Sequence, residues 1–253
     1  MSKTSDQSEA VTNSGVRQKM VNWVAALTLP VIALGNFSEA VMIVESAVDR
    51  SISTFTNIPE YQDLSYLRSG ISQDYAREIF GTPQVSRNLG QELNAEYYFD
   101  RKYLLTLLVK TGEVAGFTVI SLQEGFAPAV FGEWGGNLGE FTFAELKGMP
   151  GEFVADWTKN TASYLEIVNL GGGSLNRKAF VGWVNYAHGS SIQGLSDLYQ
   201  GVLTGENTNA LREALRESTK PNFYGWGNVS LADLAASILS PADLGHYLSA
   251  YQQ

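Results

Sequence analysis

No cysteine occurs anywhere in the 253 residues. That removes disulfides, thiolate metal sites, a cysteine nucleophile and the lipidated cysteine of a bacterial lipoprotein from consideration. Histidine is nearly as scarce: His188 and His246 are the only two and lie far apart, so a multi-histidine metal centre is not expected. Positive charge is also short, with 17 Lys and Arg against 26 Asp and Glu and a net charge of −9. A phosphate backbone is held mainly by Lys and Arg, and no basic cluster offsets the deficit, so nucleic acid is not expected as a partner.

What is present suffices for a sizeable core, with 44% hydrophobic residues and a mean hydropathy of −0.08. Residues 1–19 are polar and predict a disordered cytoplasmic tail. Arg17 and Lys19 precede Met20–Phe37, which carries no charge and approaches the roughly 20 apolar residues of a membrane span. Basic residues before it and Glu39, Glu45 and Asp49 after it put the N-terminus inside and the rest outside. A single-pass anchor in a bacterial inner membrane, with an extracytoplasmic C-terminal domain, is therefore expected. A signal peptide cleaved near Gly35 or Ala40, and an interfacial or buried helix, also fit. Pro30 would kink the span. Residues 38–58 predict a helical stalk, capped by Ser38.

The most readable stretch is 59–124. Apolar spacing predicts a helix over Glu60–Arg68. Ser72 caps a second helix, Gln73–Phe80, with Asp74 near its positive end and Gly81 and Pro83 ending it. Ala95–Phe99, Tyr103–Val109 and Val114–Leu122 predict an antiparallel meander, turning at Gly112, with one face left free for a partner.

The pattern Gly70-x-Ser72, Ala76, Phe80-Gly81-x-Pro83, Tyr97-Tyr98 and Gly112-Glu113-Val114 resembles the small αβ module of the barrel-assembly lipoproteins and the β-lactamase inhibitor proteins. The resemblance covers 67–122 and implies a helix on a sheet whose surface binds another protein. The absent cysteine departs from the lipoproteins, so 20–37 would have to replace the lipid. The whole chain is also similar to bacterial single-pass membrane proteins.

Residues 125–253 predict a second α+β part. Gly125–Gly151, rich in Gly, Pro and aromatics, reads as a loop tucked over a core or as a binding patch. Glu152–Asn160 predicts a short helix. Ser163–Leu170 and Lys178–Ala187 predict a hairpin across Gly171-Gly172-Gly173. The glycine run is not a phosphate loop, because a strand and no Lys-Ser or Lys-Thr helix follows it. Helices are expected over Ile192–Leu203 and Thr208–Lys220 and after Ser230 and Ser240, with Asn222–Asn228 as an aromatic loop.

The expected class is thus α+β, with antiparallel sheets and packed helices behind a probable transmembrane helix. The expected role is a membrane-anchored envelope protein binding or scaffolding another protein through an exposed sheet and aromatic loops. The candidate surface is Tyr97, Tyr98, Trp134, Trp183, Phe223, Tyr224 and Trp226; no cofactor is called for. One alternative is a hydrolase using Glu166, flanked by Leu165 and Ile167, and His188, which precedes Ser190 and Ser191 without a nucleophile elbow. Another is an inhibitor or immunity-like protein, suggested by acidity and the resemblance.

Overall fold

The computed structural model describes residues 56–131, 135–169, 178–189 and 191–251. The expected tail, span and nearly all of the stalk lie outside these residues, as do Trp134 and the glycine run. Among the described residues no helix is long and apolar enough to cross a membrane. The chain divides into units 1–62 and 63–253. In the first, Tyr61 N–H donates to the Asn57 carbonyl at 3.0 Å and opens helix α1, Ile58–Ser65.

In the second unit, α2 spans Gln73–Phe80, and Ser72 Oγ accepts from the Tyr75 N–H at 3.2 Å. Gly81 ends it at φ +78°. Strands follow at β1 Val85–Gly90, β2 Leu93–Phe99, β3 Tyr103–Lys110 and β4 Glu113–Ser121. Thr111 and Gly112, at φ +52° and +81°, make the tight β3–β4 turn. The start of α2 is tied to that turn: Gly70 N–H donates to Val114 O, Val114 N–H to Ile71 O, and Gln73 N–H to Gly112 O, all within 2.9 Å. The two ends of the sequence motif are therefore physical neighbours.

A 3₁₀ turn, Phe143–Glu145, lies in the long loop after β4, followed by β5 Met149–Trp157, β6 Ala162–Asn169 and β7 Lys178–Val184. Then come α3 Leu195–Thr204, α4 Asn209–Ser218, β8 Phe223–Gly227, α5 Leu231–Ser237 and α6 Pro241–Tyr251. All eight strands form one antiparallel sheet in the order β1-β2-β3-β4-β8-β7-β6-β5. It consists of two four-stranded runs joined through their last strands, so residues on either side of 124/125 share one sheet rather than forming separate β units.

Two expectations are corrected. Glu152–Asn160 is not helical, because that stretch supplies most of β5, whose backbone pairs with β6 from Met149↔Asn169 to Trp157↔Ala162. The aromatic segment 222–228 is not a loop: β8 lies mid-sheet, bonded to β4 and β7. Its glycines hide it from strand propensity, yet the packing needs small residues on these strands. A Cβ added at Gly182, opposite Phe223, would stand 2.0 Å from the Phe223 ring.

Neither face of the sheet is left bare. On one, Tyr97, Leu104, Ile120, Leu165, Phe180 and Phe223 pack with Leu234 of α5 and Leu244 of α6. On the other, Arg77 of α2 holds Glu96, and Arg212 and Arg216 of α4 hold Glu166. The expectation of a free face fails because both sets of alternating side chains are covered. The sheet also curls. Seven flat spacings would put β1 about 34 Å from β5, and the seven-residue α5 is about 10 Å long. Yet α5 packs on β1, β5 and β6 alike. Arg87 Nη2 of β1 donates to the Ala236 carbonyl, and the Tyr97 hydroxyl donates to Ser237 O at 2.9 Å.

Candidate binding groove

Alternation along β6 puts Tyr164 and Glu166 on the face under α4. Glu166 is wholly buried. Its Oε2 accepts from the Tyr164 hydroxyl at 2.6 Å and Arg212 Nη2 at 2.9 Å, and its Oε1 from Arg216 Nε at 3.3 Å. Arg212 lies over the Phe153 ring at 4.5 Å, and Arg216 Nη2 reaches the Phe143 carbonyl at 3.0 Å. A similar clamp exists on β2. There Glu96 Oε1 accepts from Arg77 Nη2 at 2.5 Å and from Gln73 Nε2 at 2.6 Å, while Oε2 accepts from the Tyr98 hydroxyl at 3.0 Å.

His188 is exposed, beyond the end of β7, where its backbone N–H donates to Ser121 O at 2.9 Å. Glu166 pairs with Val181 inside β7. A carboxylate whose two oxygens are taken by guanidinium and phenol donors in the core, and an imidazole outside it, do not form an acid–base pair. Among the described residues no three metal-ligating side chains converge.

Most of the expected contact surface is internal. Tyr97 and Phe223 are fully buried, and Tyr98, Trp183 and Tyr224 nearly so. Burial pushes the Tyr97 hydroxyl up to about 12 and raises those of Tyr98, Tyr164 and Tyr224 further. The sequence does not distinguish such rings from surface ones, because an aromatic strand looks alike whether one or both sheet faces are covered.

Two of the predicted residues do meet at a surface feature. Tyr224 and Trp226 on β8, with Phe117 on β4, floor a groove of about 380 Å³. Leu64, Leu67, Arg68 and Ser69 form one wall, and Ala129 and Phe131 the other. Phe131 meets Trp226 edge to face at 5.1 Å and Tyr224 at 6.1 Å. Its backbone is left-handed at φ +56°, a conformation costing an L residue roughly 1–2 kcal/mol. The ring contacts offset that strain and fix the wall. Among the described residues of the expected loop Gly125–Gly151, Phe126, Phe131, Phe141 and Phe143 are tucked in, while Met149–Gly151 belong to β5. Phe117 and Arg68 drew no functional notice, because nothing local marks them.

No protein-family model matches the chain, and no curated protein does. Two solved structures are similar over part of it. A cysteine-rich secretory protein from Staphylococcus aureus overlaps 69% of this chain and 48% of its own at 10% identity, with a TM-score of 0.34. An extracellular protein containing a SCP domain from Bacillus anthracis overlaps 71% and 52% at 7% identity, with a TM-score of 0.35. The chain thus spans about half the length of each. Likeness at that level establishes neither a shared fold nor a shared activity.

Proposed function

We propose that this chain is a non-catalytic binding protein of the bacterial envelope, which holds part of another protein in the groove over β4 and β8. The observation that carries this reading is the groove of about 380 Å³ that opens over Phe117, Tyr224 and the half-buried Trp226, on a face that α2 and α4 cover elsewhere among the described residues. The resemblance of 67–122 to protein-binding αβ modules supports it. The uncharged run Met20–Phe37 supports a membrane anchor that displays the domain outside the cytoplasm. The contact surface moves from the expected open sheet to the groove, because Tyr97, Tyr98, Trp183 and Phe223 are buried and do not line it.

Two measurements test this. A photo-crosslinker at exposed Ser65, in the full chain in membranes, should give one discrete adduct that Ser69→Trp abolishes by filling the groove. A crosslinker at exposed Glu217 should not give that adduct; identical products from both positions would sink the groove. Membrane fractionation with protease protection should keep the full chain in the membrane and leave everything after Phe37 open to external protease. Full-length chain recovered without detergent would remove the anchor.

A further inference from the structure

The groove contains two polar groups without a partner among the described residues. Exposed Arg68 lines it and makes no ion pair or hydrogen bond among the described residues. Tyr224 lines it too, and its hydroxyl likewise has no partner among them. Elsewhere on the same face of the sheet these two side-chain types occur together around a carboxylate. Arg77 and Tyr98 converge on Glu96, and Arg212 and Tyr164 converge on Glu166. In both clamps a helix-borne guanidinium and a strand-borne phenol donate to one carboxylate. At the groove the guanidinium and the phenol are present, and no acid is among the described residues that line it.

We infer that the groove takes the C-terminal carboxylate of a polypeptide whose last side chain is aromatic or large and apolar. The terminal side chain packs on Phe117, Phe131 and Trp226, and the carboxylate accepts from Arg68 and the Tyr224 hydroxyl. A volume of about 380 Å³ is at the small end for a ligand pocket and suits a chain end better than a long extended segment. The net charge of −9 repels anions in general, so Arg68 supplies the local positive charge that a carboxylate needs at the groove. A phenol is protonated at neutral pH, and burial raises the Tyr224 hydroxyl further above its ordinary range, so it is a donor there. This inference rests on the groove being a protein-binding site and names the part of the partner it holds.

The test uses three probes on the full chain in detergent: Ac-Gly-Gly-Phe with a free carboxylate, the same peptide as an amide, and 3-phenylpropanoate. Binding is followed by NMR at the Trp226 indole N–H and the Arg68 Nε–H. The peptide acid should shift both signals. Its affinity should fall at least tenfold with the amide and with Arg68→Gln, and by a smaller factor with Tyr224→Phe; both variants are mild enough to fold. Equal binding of acid and amide would overturn carboxylate recognition while leaving the groove reading intact. Equal binding of 3-phenylpropanoate would overturn the peptide terminus as the ligand. No shift with any probe would overturn the inference outright, whereas the groove reading itself stands or falls on the crosslinking above.

Discussion

Asn222 shows how much one side chain can decide in this sheet. It is buried, and its Oδ1 accepts from Val184 N–H while its Nδ2 donates to Val184 O, both at 2.9 Å. The side-chain amide thus acts as one more peptide unit pairing with the end of β7. Its own backbone N–H donates to Gly182 O at 2.9 Å, and its carbonyl accepts from Ser121 N–H at 3.0 Å, which ties β7 to the end of β4. Asn222→Ala should cost roughly 1–3 kcal/mol for each Val184 group left buried and unpaired. Asn222→Asp should cost no less, because it turns an acceptor toward the Val184 carbonyl. Gly182→Ala should lose at least about 1–3 kcal/mol through overpacking against Phe223. Urea midpoints measure all three, and near-native midpoints would contradict the packing. Asn222 looked like loop material in the sequence because its partner is 38 residues away.

At the scale of elements, the arginine–carboxylate–tyrosine clamps pin α2 and α4 to the sheet. Removing Glu166 takes from buried Arg216 and half-buried Arg212 the carboxylate they share, leaving Arg216 with exposed Glu213 at 3.4 Å and the Phe143 carbonyl, so Glu166→Ala should destabilise by roughly 3–5 kcal/mol. Replacing all three charged members with apolar groups, Glu166→Leu with Arg212→Met and Arg216→Met, should recover at least half of that loss, since the desolvation cost disappears with the charges. A triple variant no better than Glu166→Ala would show that the charges themselves are needed. The same scale explains which elements were readable. The starts of α2 and α5 carry their signal within one turn: Ser72 bonds Tyr75 N–H, and Ser230 bonds Asp233 N–H. The edge strand β5 carries no comparable signal. Its Phe153-Val154-Ala155-Asp156 suits a helix or a strand, and pairing with β6 decides between them.

Across the whole sheet, closely packed tyrosines make stability sensitive to alkali. An unfolded tyrosine loses its proton near pH 10, while Tyr97 keeps its own until about 12 because burial disfavours the phenolate. Between those values the native chain binds more protons than the unfolded chain, so stability falls as pH rises. Tyr98, Tyr164, Tyr186 and Tyr224 are shifted the same way, with burial the largest cause for each. The urea midpoint should be insensitive to these groups below about pH 9 and drop steeply above 10. Tyrosinate absorbance from the buried rings should appear together with the loss of circular dichroism. Ionisation of these tyrosines with the fold intact would contradict their burial.

By itself the sequence determined what rests on near neighbours: the capped helices, the central meander with its Thr111-Gly112 turn, the acidic charge and the uncharged run Met20–Phe37. The tertiary structure alone decided that β8 and β5 are strands, that both faces of one curled sheet are covered, and that Glu166 is a clamp. It also brought Arg68 and Phe131 to the aromatic floor of a groove. Capping bonds join residues within one helical turn, so their pattern is written locally. Strand pairing, burial and ion pairing here join residues tens of positions apart, as with Glu166 and Arg216, 50 apart, and each such side chain takes its role from what the fold sets against it.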